Sequence, residues 1–120
     1  MSSSVDSRRQ LGRFGEDQAA GFLVKKGYRE LARNLVLPQG EIDLLMDADS
    51  AVVLVEVKSQ TSSSYAHPLF KVDRKKQAKL RLLARVISAR YPDRNIQVDA
   101  VTVEVKSGKP RITHYPNVLT

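Results

Sequence analysis

Cysteine is absent from the 120-residue chain, and histidine occurs only twice. The lack of cysteine excludes disulfide scaffolds, thiolate zinc sites, iron–sulfur clusters and cysteine nucleophiles. Two histidines are too few for a metal cage built from imidazole. The longest apolar runs have the length of a strand, and the polar N-terminus has no stretch typical of a secretory signal. These absences predict a soluble, cytoplasmic protein.

What is present fits one globular domain. The hydrophobic fraction is 42% and the charged fraction is 28%, which is typical of a folded soluble protein. A chain of this length can bury a core without disulfides or a structural metal. We predict a disordered tail over residues 1–9 and a single domain over residues 10–120.

The positive charge is concentrated in one segment. The net charge is +7, and residues 71–94 contain nine basic residues against two acidic ones. A local basic patch is typical of proteins that bind a polyanion such as nucleic acid. A solvated helix surface has the same composition, so charge alone leaves both interpretations open.

Hydrophobic periodicity predicts an α/β protein with the element order α-β-β-β-α-β-β. Apolar residues recur at helical spacing from about Gln10 to Lys26 and from about Arg74 to Arg90, with Asp73 as a candidate N-cap of the second helix. Apolar runs bounded by turn residues predict strands at 28–37, 41–46, 52–59, 96–105 and 111–115, of which 96–105 alternates and is rich in valine. Three glycines indicate close packing of the first helix: Gly12, Gly15 and Gly21.

A predicted hairpin carries the candidate chemistry. The sequence Gly40-Glu41-Ile42-Asp43 precedes a short loop, and Val55-Glu56-Val57-Lys58 follows it. Pairing about residues 49 and 50 places Asp43 opposite Glu56 on one face, with Cβ atoms about 5 Å apart. Lys58 faces the same way, because it is two residues beyond Glu56. The apolar residues are predicted on the other face: Ile42, Leu44, Met46, Val53, Val55 and Val57.

Two opposed carboxylates repel each other unless a cation neutralises them. Mg²⁺ or Mn²⁺ suits such hard oxygen ligands, and an adjacent lysine can position water or stabilise charge on a phosphate. Asp43, Glu56 and Lys58 are therefore candidates for phosphodiester hydrolysis. The alternative is that both acids are exposed polar residues on a half-buried hairpin.

The pentapeptide Val-Glu-Val-Lys-Ser occurs twice, at 55–59 and at 103–107. The second copy has its own nearby acid, Asp99. Five positions separate Asp99 from Glu104 on one predicted strand, so their side chains project from opposite faces. We therefore predict a site at the first copy, and ordinary strand and surface at the second.

Several short motifs recur together in a known family. They are, in order, Gly12-x-x-Gly15-Glu16, Gly27-Tyr28, Asn34, Gly40-Glu41-Ile42-Asp43, Val55-Glu56-Val57-Lys58 and Lys76-Gln77. Over roughly residues 10–115 the sequence resembles the YraN-like bacterial proteins. These are similar to the PD-(D/E)xK nuclease superfamily, and within it to the archaeal Holliday-junction resolvases. The resemblance implies a restriction-endonuclease-like core with a mixed β-sheet flanked by helices.

The resemblance also implies roles for single residues. Asp43, Glu56 and the Val57 carbonyl would bind Mg²⁺ or Mn²⁺. Lys58 would be the catalytic lysine, and Glu16 would bind the metal directly or through water.

A second group of implied roles concerns the substrate, which would be DNA, including branched or structured DNA. Lys76 would contact the scissile phosphate. Asp99 matches a strand acid of the family, for which we expect a structural role. The related resolvases act as dimers, so a homodimer is one expectation. A nucleic-acid-binding protein of the same fold with little or no turnover is the alternative.

Departures from the family pattern concern phosphate binding. The basic residues usual after the asparagine and after the catalytic lysine are replaced by Leu35-Val36-Leu37 and Ser59-Gln60. The usual aromatic-glycine pair of the following loop is Tyr65-Ala66. The metal-binding motifs are intact, so these departures affect the expected substrate affinity more than the expected chemistry.

The remaining charged positions allow two interpretations each. Arg74, Arg81 and Arg85 share one face of the second helix, which either follows a phosphate backbone or is a solvated surface. His67 is expected in a solvated loop, and His114 is expected at the surface.

Overall fold

The computed structural model describes residues 4–61 and 73–119, with side chains described from residue 7 onward. The elements follow the predicted order: α1 Ser4–Lys25, β1 Arg29–Leu37, β2 Gly40–Asp47, β3 Val52–Thr61, α2 Arg74–Arg90, β4 Ile96–Lys106 and β5 Lys109–Tyr115. Helix α1 begins at Ser4, so residues 4–9 are helical where the sequence predicted a tail. His67 and Tyr65-Ala66 lie outside the described residues.

Five strands form one mixed sheet in the order β1-β2-β3-β4-β5. Strands β3 and β4 are parallel, and every other neighbouring pair is antiparallel. Parallel neighbours need a crossover connection, and α2 lies in the connection between β3 and β4. This architecture confirms the predicted fold class. Within the described residues, neither helix combines the length and the apolar character that crossing a membrane requires.

The two helices cover opposite faces of the sheet and create two apolar clusters. The α1 cluster contains Ala19, Ala20, Leu23, Leu44, Met46, Ala51, Val53, Val55, Val101 and Val103. The α2 cluster contains Leu37, Ile42, Leu45, Val52, Leu54, Leu80, Leu83, Ile87 and Val98. Residues 51–55 are consequently all buried, as expected for a strand covered on both sides.

This packing corrects two expectations for the hairpin. The hairpin is not half-buried, because both of its faces are covered where β2 meets β3. Ile42 does not join Leu44 and Met46 on the α1 side; it packs in the α2 cluster. The strict alternation assumed from the sequence therefore fails at Asp43, the residue between Ile42 and Leu44.

Gly15 is the point at which α1 approaches β3 most closely among the helix glycines. A Cβ atom added at Gly15 would lie 1.6 Å from Ser59 Oγ and 2.8 Å from Ser59 Cβ. The same addition at Gly12 or Gly21 meets no atom within 4 Å. The predicted close packing is therefore confirmed at Gly15 and wrong at Gly12 and Gly21.

We expect Gly15→Ala to lower the free energy of unfolding by about 1–3 kcal/mol, because the methyl group must displace Ser59 or shift α1. Gly12→Ala and Gly21→Ala should each raise it by up to about 1 kcal/mol, because alanine favours the helix and meets open space. Urea denaturation followed by circular dichroism measures all three. Equal effects at the three positions would contradict the Gly15–Ser59 contact.

Candidate metal and phosphate site

The β2–β3 ladder ends beside the first candidate acid. The pairing has the predicted register and runs as far as Leu44 opposite Val55. Asp43 immediately precedes Leu44 on β2, and its Oδ2 accepts a hydrogen bond from the Val57 backbone N–H at 2.8 Å. The Asp43 side chain thus takes the place of a backbone carbonyl as the acceptor. This hydrogen bond holds the Asp43 carboxyl group against β3.

Burial and neighbouring charge act together on Asp43. Burial is the largest cause that raises its pKa to about 7. The hydrogen bond from Val57 lowers the pKa in part, whereas the negative charges of Glu56, Glu16 and Glu41 raise it further. Asp43 is therefore close to half-protonated at neutral pH in the metal-free protein.

Glu41 is the member of this acidic cluster that the sequence analysis missed. It is exposed on β2 and acts electrostatically on both Asp43 and Glu16. The signal was present, since Glu41 lies only two residues before Asp43 in the same Gly40-Glu41-Ile42-Asp43 motif.

The second candidate acid, Glu56, is paired with a lysine of α2. Lys76 Nζ donates to Glu56 Oε1, and the side chains are 38% and 19% exposed, respectively. The first turn of α2 is fixed by its N-cap, because Asp73 Oδ1 accepts from the Lys76 backbone N–H at 2.8 Å. The structure thus brings Lys76 to the predicted acid pair, with its ammonium group on one of the two carboxylates.

Lys58 lies two residues beyond Glu56 on β3, and its side chain is exposed. The parallel pairing of β3 and β4 places Thr102 beside it. The Thr102 hydroxyl is buried and has no hydrogen-bond partner among the described residues. Val57, between Glu56 and Lys58, is partly buried and contributes its N–H to Asp43.

Glu16 approaches the acid pair from α1. It is partly buried and bonded to the Asn34 side chain. Burial is the main cause that raises the pKa of Glu16, the bond to Asn34 opposes it, and the charge of Glu41 adds to it. Asn34 itself has a left-handed backbone with φ of 52°, a conformation in which asparagine is enriched.

The donor set fits a hard divalent cation with few protein ligands. Within residues 4–61 and 73–119, no three His, Asp or Glu side chains are placed to hold a metal ion together. Mg²⁺ commonly takes one or two carboxylates and fills its remaining positions with water and phosphate. Asp43 and Glu56 meet that requirement. Burial is the main cause of the raised pKa of Asp43, and a cation would relieve the repulsion from Glu56 that adds to it.

The three arginines expected on the outer face of α2 are all exposed. Arg81 and Arg85 line a shallow groove of about 450 Å³ together with Arg94. Arg94 was not among the candidate residues predicted from the sequence. Arg94 Nη2 donates to the buried Asp47 Oδ1 at 2.9 Å and is thereby fixed in position. Arg74 does not line this groove.

Asp99 and His114 form a buried pair away from the acid cluster. Asp99 is fully buried and accepts from Gln97 Nε2 at 2.8 Å and from the Asn117 N–H at 3.0 Å. His114 Nε2 lies 2.7 Å from Asp99 Oδ2, and the histidine side chain is 6% exposed. Asp99 therefore has the expected structural role, and the prediction that His114 is a surface residue is wrong.

The second pentapeptide copy is also more buried than predicted. Glu104 is 6% exposed, so its placement at the surface is wrong. Its strand, β4, lies between β3 and β5 and is covered along most of its length. The expected separation from Asp99 holds, since the five-residue offset puts the two acids on opposite faces of β4.

Comparison with known proteins identifies the family. A family model described as "Uncharacterised protein family UPF0102" matches residues 15–103. The chain belongs to this family. It is 41% identical to a UPF0102 protein of Clavibacter michiganensis subsp. michiganensis, covering 85% of this chain and 89% of the relative. It is 37% identical to one of Syntrophomonas wolfei, covering 91% and 96%.

A third relative is the UPF0102 protein of Thermus thermophilus, 38% identical over 86% of this chain and 91% of its own length. These matches confirm the YraN-like resemblance. The names of the relatives state the family and no activity, so the activity has to be argued from the site.

The pKa of Asp43 predicts how stability depends on pH. Its folded value of about 7 exceeds the unfolded value of about 3.9. The folded state therefore binds more protons in this window, and the stability gained from protonated Asp43 is lost as the pH rises from about 4 through 7. Asp43→Asn should remove this decline and leave the metal-free protein about 1 kcal/mol more stable than the parent at pH 8.

Urea unfolding at pH 5, 6, 7 and 8 in the presence of a chelator measures this difference. Asp93→Asn is a matched control, because Asp93 is exposed and remote from the acid cluster. Parallel pH profiles for the parent and Asp43→Asn would contradict the raised pKa.

Proposed function

We propose that this protein is a nuclease that hydrolyses phosphodiester bonds in DNA, including branched or structured DNA, with Mg²⁺ or Mn²⁺ as its cofactor. The observation that carries the proposal is the meeting of Asp43 and Glu56 at the end of the β2–β3 ladder, with Lys76 bound to Glu56. Lys58 extends from the same strand as Glu56. This combination of acids and lysines supports phosphoryl chemistry better than a purely structural role.

The proposed metal ligands are Asp43, Glu56 and the Val57 carbonyl. Of the two roles expected for Glu16, binding through water agrees with the absence of three converging acids among the described residues. Such a cation supplies Lewis acidity and a nucleophile from water at neutral pH. Asp43 has to lose its proton before it can serve as a ligand, so metal binding should release protons below about pH 7.

The two lysines have different proposed tasks. The ammonium of Lys58 is exposed, and it orients water or stabilises negative charge on the reacting phosphate. Lys76 neutralises Glu56 in the metal-free protein. When a cation takes over that carboxylate, Lys76 becomes free to contact the scissile phosphate.

The basic surplus supports a polyanionic substrate. Arg74, Arg81 and Arg85 are exposed on α2, the helix whose first turn carries Lys76. A duplex that reaches Lys76 can follow this face with its phosphate backbone. We place the activity in the cytoplasm, and a homodimer would allow two strands to be cut symmetrically.

One observation favours the second candidate function, a nucleic-acid-binding protein of the same fold with little or no turnover. The Lys76–Glu56 ion pair occupies a carboxylate that the metal would need. If the cation does not displace Lys76, the phosphate-binding groups remain and the hydrolytic site does not assemble.

Metal titration tests this competition. We expect Lys76→Ala to bind Mn²⁺ several-fold more tightly than the parent, because it removes the ammonium group that competes for Glu56. Asp43→Asn should bind Mn²⁺ at least tenfold more weakly, because it removes a charged ligand. Isothermal titration calorimetry at pH 8 measures both. Equal Mn²⁺ affinity in the parent and Asp43→Asn would remove this site from consideration.

The repeated pentapeptide provides a matched pair for activity. Lys58→Ala should lower cleavage by at least a hundredfold and leave DNA binding nearly unchanged, whereas Lys106→Ala should stay within a few-fold of the parent. The assay screens single-stranded, duplex, flap and four-way DNA with Mg²⁺ and with Mn²⁺. Equal losses in the two variants would show that the first copy has no special role. No cleavage of any substrate by a parent that binds DNA would favour the second candidate function.

A further inference from the structure

A groove beside Glu16 is not used by any of the roles above. It has a volume of about 270 Å³ and is lined by Arg9, Gly12, Arg13, Glu16 and Asn34. Gly12 and Arg13 lie three and four residues after Arg9, and Glu16 lies four and three residues after them, so the α1 residues form one stripe of the helix. Asn34 of β1 also lines the groove.

The two arginines of this groove differ from others nearby. Arg9 and Arg13 are exposed and have no ion-pair partner among the described residues. By contrast, Arg33 is held by both Asp17 and Glu30. Ordinary surface arginines that pair with acids neutralise charge within the protein, whereas these two leave their donors available for an anion.

The groove shares Glu16 with the candidate metal site. Glu16 lines the groove and is bonded to Asn34. The charge of Glu16 also acts on Asp43. An anion held by the arginines would therefore lie next to the acid cluster, and Glu16 would separate the two.

Gly12 is what keeps the groove open. Its missing side chain would meet no atom within 4 Å, so the fold does not need glycine there for packing. A larger residue would project into the groove between the two arginines. The groove thus contains two guanidinium groups that have no ion-pair partner among the described residues. Between them lies a helix position without a side chain.

We propose that this groove binds a phosphate of the nucleic-acid strand, one that flanks the bond at Asp43 and Glu56. The inference rests on the proposed function, which it deepens by naming a second phosphate site. Guanidinium groups recognise phosphate oxygens in a bidentate geometry.

Charge removal is the first test. In a Lys58→Ala background, Arg9→Gln with Arg13→Gln should weaken binding of fluorescein-labelled duplex and four-way DNA about tenfold near 0.1 M salt. The magnitude of the log–log salt slope should fall by about 1, since one phosphate contact contributes about 0.9 on duplex DNA. Arg111→Gln is the matched control, because Arg111 is exposed on β5 at the opposite edge of the sheet. It should leave the slope unchanged.

Steric filling is the second test, and it leaves the charge intact. Gly12→Leu should weaken DNA binding by at least fivefold, whereas Gly21→Leu should not. Both glycines face open space on α1, but Gly21 lines a different groove with Phe22 and Ile112. Thermal unfolding confirms that both variants are folded, and fluorescence anisotropy measures the binding.

The outcomes separate this inference from the function on which it rests. Unchanged binding in the Arg9/Arg13 variant, with a loss on replacing Arg74, Arg81 and Arg85 by Gln, would overturn the groove and leave nuclease function standing. Weakened binding in the groove variants, with no cleavage by the parent, would keep the groove and overturn hydrolysis. No DNA binding by the parent would overturn both.

Discussion

The hydrogen bond from the Val57 N–H to Asp43 is the contact on which the candidate site depends. It lies at the position where β2 and β3 cease to pair through their backbones. A carboxylate on a free strand end would turn towards water and would keep an ordinary acidity. Here the backbone donor of β3 keeps it partly buried beside Glu56, and this location gives Asp43 its raised pKa. The chemistry proposed for this protein follows from this one hydrogen bond, in which a carboxyl side chain and not a backbone carbonyl is the acceptor.

The rest of the fold maintains the geometry of that contact. Strand β3 is held by β2 on one side and by β4 on the other, and a helix covers each face. The Gly15–Ser59 approach fixes α1 against the end of β3, and the N-cap at Asp73 fixes the turn that carries Lys76. The acids and the lysine therefore come from four elements, each of which has a separate packing reason for its position.

Local patterns predicted much of this. The hairpin register followed from loop length and alternation, and the helices followed from apolar spacing. These local patterns were sufficient to predict the order of the elements and the pairing of Leu44 with Val55. The sequence could not reveal that both faces of the hairpin are covered, because covering depends on helices that lie far away in the chain. For the same reason His114 and Glu104 were placed at the surface. Ile42 was placed on the wrong face because strand alternation, assumed throughout β2, fails at Asp43.

The start of α1 was missed for a different reason. Residues 4–9 are polar apart from Val5, so they show no apolar period, and their helix is an extension of the packed segment that follows. Arg9 was consequently assigned to a tail and not to a groove. Glu41 was missed because the prediction considered only acids that oppose each other across the hairpin, and not acids that are close along one strand. The family motif predicted that Lys76 belongs to the site, but it did not predict the ion pair of Lys76 with Glu56.

The parallel pairing of β3 with β4 has a consequence for how the chain folds. Strands β1 to β3 form a local meander that can assemble as soon as those residues are available. Strand β4 can join only after α2 has crossed over, so closing the centre of the sheet requires contacts between distant parts of the sequence, which form slowly. During synthesis the meander therefore exists for a time with β3 as an open edge rich in valine, a typical site for pairing with another chain. Arrival of α2 and β4 removes that edge, and the same event brings Lys76 to Glu56.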